Sequence, residues 1–369
     1  MFIRKLVLKD FRNYKYQTVA FNDGTALLYG GNAQGKTNAL EAIFLLSLGR
    51  SHRNARDKDL ININADFARV YAEVQCRDGI HTIEIILCRG EKKRILINGL
   101  PASKTGELMG HLCTVIFSPE DLSLVKSGPA ERRRFMDLEI SQYNKEYYYN
   151  LQKYNKILDE RNALLKSISK NPELISTLDI WNNELCSTAA AIIETRNGFC
   201  KKLAPAASGI CDAISGGSEK LTVIYNKSAK GEKREEIYFN LLEKLKSNLK
   251  EDIDKGNTGI GPHREDIIVK INDADLRAFA SQGQQRTAAL SLKLAQVDIL
   301  KSETGENPVL LLDDVLSELD HDRQRFLLAS LKSMQTIVTC TGIDSSLFDA
   351  ASLFLVKAGK ITKEDSSSS

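Results

Sequence analysis

Eight residues near the N-terminus have the types and spacing of a phosphate-binding loop. They are Gly30-Gly31-Asn32-Ala33-Gln34-Gly35-Lys36-Thr37, which match the pattern G-x-x-x-x-G-K-[ST]. The glycines allow backbone N–H groups to turn inward around phosphate oxygens. Lys36 would contact the β- and γ-phosphates, and the Thr37 hydroxyl would ligate Mg²⁺. The motif therefore predicts nucleotide binding; the alternative is a glycine turn that merely precedes a helix.

Two carboxylates near the C-terminus could complete this chemistry. Asp313 and Asp314 directly follow the apolar run 309–312. A buried strand that ends in Asp suits the Mg²⁺ partner of a phosphate-binding loop. We expect Asp313 to hold the metal, directly or through water, and Asp314 to polarise the attacking water. The alternative is an ordinary strand with an acidic turn, and the presence of Lys36 favours the catalytic interpretation.

A third motif, Ser281-Gln282-Gly283-Gln284-Gln285, precedes a long helical pattern. Ser281 could simply cap this helix, or the helix N-terminus could bind an anion. Because the chain's own phosphate loop already uses one helix terminus, the second could serve a nucleotide held by another protomer. Apolar residues on opposite faces, among them Leu290 and Leu292, predict that the helix is buried on both sides.

The elements that must position these motifs follow from hydrophobic periodicity. The run 25–29 predicts a buried strand before the phosphate loop, and Leu40, Ile43, Phe44 and Leu48 predict a helix after it. Alternation at 70–76 and 83–87, with a turn at 77–79, indicates antiparallel hairpins. We expect further strands at 3–8, 95–97, 113–117, 267–271 and 336–338.

The middle of the chain has a helical period. One apolar stripe runs from Leu151 to Ile168, Asn171-Pro172 interrupts it, and a second stripe ends before Pro205. We expect a helical hairpin, then a short strand at 221–225 and another helix through Leu249.

Three consecutive arginines, Arg132, Arg133 and Arg134, stand near the start of this helical region. They could contact DNA phosphates. An ion-pair patch with the neighbouring Glu131, Asp137 and Glu139 is an equally good interpretation.

Composition limits the class of protein. The 369 residues allow two domains, 42% of them are hydrophobic, and the net charge of +3 does not by itself indicate nucleic acid. No apolar run has membrane-spanning length, and the N-terminus lacks the features of a signal peptide. The seven scattered cysteines lack a C-x-x-C pair, which indicates reduced thiols in the cytosol and argues against a cysteine metal site.

The three motifs together resemble those of a known class. The run 281–285 is similar to the L-S-G-G-Q signature of ABC-type ATPases, and the phosphate loop, the Asp-Asp strand and a Ser-Glu-Leu-Asp loop occur in the expected order. The wide separation of loop and signature resembles SMC and Rad50 heads. Within that group the chain resembles the RecF family of bacterial DNA-repair proteins. The matching segments are 8–14, 31–38, 117–121, 261–264, 281–287 and 312–320.

The resemblance implies an α/β fold: an ABC-type ATPase head formed by residues 1–121 and 255–369, with a mainly helical lobe at 122–254 inserted. It implies ATP and Mg²⁺ as cofactors, with Lys36, Asp313, Asp314 and Ser281 as catalytic residues. Thr37 and Asp313 would bind the metal. The nucleotide would be bound by Gly30, Gly31, Asn32, Ala33, Gln34, Gly35, Lys36, Thr37 and Asn38, and by Ser281, Gln282, Gly283 and Gln284.

For the biology, the resemblance implies a cytoplasmic, nucleoid-associated protein that forms an ATP-dependent homodimer. The dimer would bind duplex DNA and junctions at single-stranded gaps. With RecR and RecO it would help RecA to displace single-strand-binding protein.

Two departures from the wider ABC pattern favour a slow, switch-like ATPase over a fast motor, and the resemblance implies that this weak activity depends on DNA. Asp314 replaces the more usual Glu, and no histidine follows the strand at 337–341. Two rival functions remain open. One is the ATPase subunit of a membrane transporter, and the other is a small-molecule kinase, which would leave Ser281 to Gln285 without a role.

Overall fold

The computed structural model describes residues 1–342 and 351–364 and divides the chain into two compact units. The first unit contains Met1–Leu122 and the chain from Leu292 onward; the second is Ser123–Ser291. Both ends of the chain therefore build one unit around an insertion, as the sequence predicts. The sequence predicts that residues 255–291 belong to the head, whereas the second compact unit includes them. The functional boundaries of head and lobe therefore stay a prediction.

The strands lie within the described ranges and are numbered in chain order. They are β1 (Phe2–Phe11), β2 (Tyr14–Ala20), β3 (Thr25–Tyr29), β4 (Phe67–Cys76), β5 (Gly79–Cys88), β6 (Arg94–Ile97), β7 (Leu100–Pro101), β8 (Thr114–Phe117), β9 (Leu221–Asn226), β10 (Asp266–Ile271), β11 (Ala274–Asp275), β12 (Val309–Asp313), β13 (Thr336–Cys340), β14 (Ser352–Lys357) and β15 (Lys360–Lys363).

The α-helices of the same ranges are α1 (Lys36–Leu48), α2 (Asp57–Leu60), α3 (Ser123–Lys126), α4 (Pro129–Tyr143), α5 (Lys145–Ile168), α6 (Leu178–Ser215), α7 (Arg234–Ser247), α8 (Leu249–Lys255), α9 (Leu276–Phe279), α10 (Gln282–Thr304) and α11 (His321–Ser330).

The first unit contains two sheets. One is antiparallel in the order β2-β1-β4-β5-β6-β7, and it includes the hairpins that alternation predicts. The other has the order β15-β14-β3-β13-β12-β8 and is parallel apart from β15. In a parallel sheet all carboxyl ends lie at one edge, where ligands of open α/β sheets bind. The loop after β3 and the carboxylates after β12 therefore lie at the same edge.

Helix α1 packs between the two sheets of this unit. It contacts β1, β4 and β5 on one side and β8, β12 and β13 on the other. From Ala39 to Leu48 every residue is buried, including Glu41. Because burial is needed on all faces, the helix has no polar stripe, and its N-terminus is held rigidly against the edge of the parallel sheet.

The second unit combines helices with the antiparallel sheet β11-β10-β9. Helices α5 and α6 form the predicted hairpin, and a 3₁₀ turn at Pro172–Thr177 occupies the predicted break. The prediction that the second helix ends before Pro205 is wrong, because α6 continues through it to Ser215. Pro205 is exposed while Leu203 and Ala207 are buried. Water can therefore satisfy the carbonyl that the missing N–H leaves free.

Helix α10 begins at Gln282, immediately after Ser281, as the motif predicts. Leu290 and Leu294 are buried, and so are Leu292 and Ala295 on the other side of the helix. The prediction of burial on both faces is therefore confirmed.

Candidate nucleotide site

Three residues of the loop after β3 have positive φ: Gly30 at 149°, Ala33 at 60° and Gly35 at 120°. Ala33 has the left-handed conformation that occurs where backbone N–H groups turn toward an anion, and the φ values of Gly30 and Gly35 are ones that glycine adopts readily. A Cβ on Gly30 would lie 2.3 Å from the Val356 carbonyl oxygen on the neighbouring strand β14, so only glycine fits at that position.

The N-terminus of α1 opens directly onto this loop. No side-chain hydrogen bond caps it, and its first turn contains no acidic residue. Its unpaired N–H groups and its partial positive charge are therefore available to an anion. The Lys36 ammonium donates hydrogen bonds to the carbonyl oxygens of Gly30, at 2.6 Å, and Gly31, at 2.8 Å. These contacts hold a positive charge over the loop.

The phosphate loop and the C-terminal carboxylates meet directly. Thr37 Oγ1 donates a hydrogen bond to Asp313 Oδ1 at 2.8 Å. Thr339 Oγ1, on the intervening strand β13, donates to the same oxygen at 2.8 Å. Asp313 is only 7% exposed, so these hydrogen bonds orient a nearly buried carboxylate. Thr339 has no role in the sequence analysis, although a hydroxyl at the carboxyl end of an apolar strand was a usable signal.

Asp314 occupies a different environment from Asp313. Its φ is 53°, its N–H donates to Thr339 Oγ1 at 3.0 Å, and the residue is exposed at the sheet edge. Partial burial raises the pKa of Asp314; Lys36 opposes this rise, and the nearby carboxylates Asp313 and Glu318 add to it. The two adjacent aspartates therefore differ, one held by hydroxyls and the other directed toward solvent.

Residues from both ends of the first unit brace the loop. Asn13 Nδ2 donates to the Gln34 carbonyl at 2.8 Å, and the Tyr14 hydroxyl donates to the Gly35 carbonyl at 2.8 Å. The tight turn between β14 and β15 donates the Ala358 N–H to Gln34 Oε1 at 2.7 Å and the Gly359 N–H to the Gln34 carbonyl at 3.1 Å. Local sequence does not indicate a role for any of these bracing residues, because the contacts join segments that are far apart in the chain.

A buried ion pair fixes α1 against the start of the chain. Arg12 donates two hydrogen bonds to the Glu41 carboxylate, at 2.8 and 2.9 Å, and Glu41 is fully buried. Burial acts to raise the pKa of Glu41, but hydrogen bonds from Arg12 and Ser51 outweigh it and hold that pKa below its ordinary value. The pair stays ionised and ties the turn between β1 and β2 to the helix behind the loop.

The signature residues belong to the second unit, whereas the phosphate loop belongs to the first. Ser281 Oγ accepts a hydrogen bond from the Gln284 N–H at 3.2 Å, and Gln284 Oε1 accepts one from the Ser281 N–H at 3.0 Å. This reciprocal pair is a capping box. Gln285 is buried, and its amide donates to the carbonyl oxygens of Leu276 and Ala280. Ser281 and Gln282 are exposed and Gly283 is half-buried.

The three consecutive arginines lie on α4, and their recorded contacts are intramolecular. Arg132 is 9% exposed and donates to both carboxylate oxygens of Asp266, at 2.7 and 2.9 Å. Arg133 donates to the Glu265 carbonyl at 2.7 Å, and Arg134 pairs with Glu131 at 3.7 Å. Of the three side chains, only Arg134 pairs with one of the neighbouring carboxylates, Glu131, whereas Arg132 pairs with the distant Asp266. DNA contact by these residues stays a prediction.

Comparison with known proteins decides the family. The family model for the RecF/RecN/SMC N terminal domain matches residues 2–363. The chain is 46% identical over 348 residues to the DNA replication and repair protein RecF of Ruminiclostridium cellulolyticum, covering 92% of this chain and 93% of the relative. It is 42% identical over 370 residues to RecF of Lachnospira eligens, covering 99% and 100%. The chain belongs to the RecF family.

Solved structures agree with this assignment. The structure of the recombination mediator protein RecF-ATPrS in the RecFOR pathway superposes with a TM-score of 0.93 at 40% identity, covering 99% of this chain and 98% of that one. The Smc head domain of Pyrococcus furiosus, at 19% identity, shares the fold with a TM-score of 0.56. This RecF-family chain therefore has the predicted α/β fold of an ABC-type ATPase head with an inserted, mainly helical region. In the part of the chain that the structure describes, no helix is long and apolar enough to cross a membrane.

Proposed function

We propose that this protein is an ATP-dependent DNA-binding switch in recombinational repair. ATP binding would join two protomers on duplex DNA or at the junctions of single-stranded gaps, and slow hydrolysis would release them. The observation that carries the proposal is the meeting of Thr37 and Asp313 beside an uncapped helix terminus and Lys36. The proposal is supported by relatives named RecF and by the solved structure of RecF-ATP, which is 40% identical to this chain.

The oxygen atoms at the sheet edge fit Mg²⁺. Octahedral Mg²⁺ with ligands at about 2.1 Å places neighbouring ligand atoms about 3.0 Å apart. Thr37 Oγ1 and Asp313 Oδ1 are separated by 2.8 Å, and both are hard oxygen donors. When bound, the ion would neutralise charge that develops on the phosphates. Thr37 and Asp313 would hold it, while Thr339 keeps the carboxylate oriented.

The remaining residues of the edge divide the work between binding and hydrolysis. Lys36 would exchange its two carbonyl contacts for the β- and γ-phosphates, and the loop N–H groups would surround the same oxygens. Asp314 is exposed at this edge, as a residue that orients the attacking water must be. An Asp here, one methylene shorter than Glu, supports slow turnover and the role of a switch.

The dimer would complete each nucleotide site in trans. Ser281 and Gln282 are exposed at the N-terminus of α10, where N–H groups and a hydroxyl could contact the γ-phosphate held by a second protomer. The capping box orients the Ser281 hydroxyl at the helix terminus. Gly283 adds no side chain that would obstruct the approach.

The pathway follows from the relatives rather than from the site. A similar solved structure is that of a recombination mediator protein in the RecFOR pathway. We accordingly propose that this chain acts with RecR and RecO on the nucleoid and promotes loading of RecA onto gaps covered by single-strand-binding protein. Its ATPase activity would be weak and stimulated by DNA.

Sedimentation with and without ATP and a gapped duplex tests both parts of the proposal. We expect a monomer without nucleotide, a dimer with ATP, and co-sedimentation with DNA that is strongest with ATP. Affinity should fall steeply with salt, because phosphate contacts release counterions. The Lys36→Ala protein is the control that should stay monomeric. An unchanged sedimentation coefficient with ATP, or DNA binding indifferent to salt, would overturn the proposal.

A further inference from the structure

A second group of ligand-type side chains lies in the first unit, at the turn between β4 and β5. Cys76 ends β4, Asp78 lies in the turn, and His81 is on β5. One ligand atom from each of the three residues lies within 4.8 Å of the other two. They line an open cleft of about 450 Å³ together with Glu306. None of them takes part in the proposed nucleotide chemistry. The lack of a C-x-x-C pair argues against a site made of paired cysteines, whereas this group contains a single cysteine.

Both ring nitrogens of His81 have polar contacts, which hold the ring in one orientation. His81 Nε2 lies 3.1 Å from Asp78 Oδ2, and its Nδ1 lies 3.1 Å from Nδ1 of His111, in the segment before β8. The Cys76 thiol donates to the His111 carbonyl oxygen at 3.6 Å. His111 therefore contacts two of the three residues. Metal-binding histidines characteristically donate their other ring N–H to a fixed acceptor, most often a carboxylate, a carbonyl or water, and here the acceptor is a ring nitrogen.

We propose that Cys76, Asp78 and His81 form a binding site for a borderline-soft divalent cation of the Zn²⁺ class, through Sγ, a carboxylate oxygen and Nε2, with His111 as the positioning residue. The site is independent of the proposed nucleotide function. Tetrahedral Zn²⁺ places its ligand atoms about 3.4–3.6 Å apart. The Asp78–His81 separation of 3.1 Å is already close to this value. Since the three ligand atoms lie within 4.8 Å of one another, the thiol would have to approach the other two by about 1.2–1.4 Å at most.

The choice of cation follows from the donor set. One thiolate, one imidazole nitrogen and one carboxylate suit Zn²⁺, whereas Mg²⁺ and Ca²⁺ prefer oxygen alone. Three protein ligands leave a fourth position for water. Glu306 lines the same cleft, but its carboxylate already accepts from the Arg77 N–H at 3.1 Å and pairs with the N-terminal amine at 3.0 Å.

Coordination also requires a proton balance. On binding, the Cys76 thiol loses its proton to solvent. In the metal-free protein His81 Nε2–H donates to Asp78, so this nitrogen gives up its proton to coordinate the metal and the ring takes one up on Nδ1, donated to His111 Nδ1. The ring only changes tautomer, and binding therefore releases one proton in all.

Cobalt titration of the full chain tests the proposal. The protein is first washed with chelator and is then kept in excess Mg²⁺, which occupies hard-oxygen sites. We expect one equivalent of Co²⁺ to produce thiolate-to-cobalt charge-transfer absorption that Zn²⁺ then abolishes. Cys76→Ser and His81→Ala should lose this absorption. The matched controls are Cys88→Ser, at the end of the neighbouring strand β5, and His321→Ala, whose residue is exposed on α11; both should keep it.

Further variants separate coordination from folding. Asp78→Asn changes a side chain that is 72% exposed and should lower the affinity by at least roughly tenfold without changing metal-free thermal unfolding. His111→Gln should lower the affinity by roughly 10- to 100-fold but keep the absorption at saturating cobalt. No thiolate-cobalt absorption, absorption that persists in Cys76→Ser, or absorption lost in Cys88→Ser would each overturn the site.

Discussion

Thr37 donates a hydrogen bond to Asp313 at 2.8 Å across 276 positions of sequence. This contact joins the phosphate loop after β3 to the carboxylate that ends β12, and Thr339 on β13 supports the same carboxylate oxygen. The three strands are neighbours in the order β3-β13-β12, so parallel pairing alone places the three side chains at one edge. Strand pairing and the Thr339 hydroxyl hold the two oxygens in place, so little binding energy is spent on assembling them.

Removal of the Lys36 ammonium tests the nucleotide site itself. Lys36→Ala should weaken ATP binding by roughly 10- to 100-fold, because a hydrogen bond to a charged group contributes about 1.5–3 kcal/mol. ATP-induced dimerisation should be lost with it. Fluorescence titration with a labelled ATP analogue measures the first effect, and sedimentation measures the second.

Lys360→Ala is the matched control, because Lys360 is an exposed lysine of the same unit that lies on β15. It should bind ATP as the wild type does. Melting temperatures of both variants should stay close to that of the wild type, since Gly31, Asn32 and Ala33 of the loop are exposed. Normal ATP-induced dimerisation of Lys36→Ala would remove the loop from the proposed switch.

Asp314→Asn separates binding from hydrolysis. Asn tolerates the left-handed backbone found at this position, so the variant should fold. It cannot act as a base toward water, and turnover should fall while ATP stays bound. The variant should therefore remain as an ATP-bound dimer on DNA. Steady-state hydrolysis and filter retention of labelled ATP measure the two effects, and unchanged hydrolysis would exclude this role for Asp314.

The pH dependence of turnover provides a second measurement on the same residue. The carboxylate must be ionised to orient water, and burial raises the pKa of Asp314 above its ordinary value of 3.8. Hydrolysis should be lost on acidification, and the midpoint of this loss should therefore lie at a higher pH than it would for an aspartate of ordinary pKa. The residual activity of Asp314→Asn should lack this step. A step of the same midpoint in the variant would assign it to another group.

Much of this edge could be predicted from local sequence. The run 25–29 is a strand with the predicted bounds, and the strand before Asp313 starts at Val309 as expected. Buried parallel strands are short continuous apolar runs, and a helix-starting loop with fixed glycines is recognisable from spacing alone. Ser281 was placed correctly at the start of a long buried helix for the same reason.

The contacts that brace the loop could not be predicted in this way. Asn13 and Gly359 reach Gln34 from opposite ends of the chain, and such pairing depends on the tertiary fold. Strands β14 and β15 are absent from the sequence analysis, although an apolar run before Lys357-Ala358-Gly359 carries a hairpin signal. Pro205 misled the helix prediction because one proline on a solvent face costs less than the packing of α6 contributes.

A half-buried histidine, His263, should make the stability of the second unit depend on pH. The Tyr154 hydroxyl lies 2.5 Å from His263 Nδ1, and His263 Nε2 lies 2.9 Å from the Thr258 carbonyl oxygen. The neutral ring satisfies both contacts, and burial lowers the pKa of His263 below 6.5. The unfolded chain therefore binds a proton more readily than the folded one. The stability that the neutral His263 ring contributes is therefore complete above about pH 6.5. It is lost as the pH falls through the pKa of His263 in the folded protein.

Urea unfolding between pH 5 and pH 8 measures this effect. The free energy of unfolding of the wild type should fall more steeply below about pH 6.5 than that of His263→Gln, because glutamine does not titrate. Tyr154→Phe should destabilise the protein by about 1–3 kcal/mol near neutral pH, because His263 Nδ1 then loses its donor. Identical pH profiles for wild type and His263→Gln would show that the neutral ring does not contribute in this way.

The last prediction concerns the use of Ser281 in trans. Ser281→Arg should place a bulky charged side chain at the exposed N-terminus of α10 and block closure of the dimer. Each protomer keeps its own phosphate loop, so ATP binding should stay near the wild-type value. Dimerisation and hydrolysis should be lost together. Loss of a helix cap alone costs about 1 kcal/mol and has no effect that depends on nucleotide.

Asn144→Ala controls for that structural role. Asn144 caps α5 in the same unit by accepting a hydrogen bond from the Tyr147 N–H at 2.9 Å. The variant should lose about the same stability as a capping change at Ser281. It should still dimerise with ATP. If Asn144→Ala and Ser281→Arg lose dimerisation equally, capping explains the result and the signature has no role in trans.

Mixing two defective proteins provides the decisive measurement. A dimer of one Ser281→Arg protomer and one Lys36→Ala protomer has one composite site with both motifs damaged and one with both intact. Where one nucleotide suffices for closure, some ATP-dependent association should return in the mixture although neither variant associates alone. Sedimentation of the two labelled variants measures this directly. Full ATP-dependent dimerisation by Ser281→Arg alone would instead show that Ser281 does not contact the partner's nucleotide.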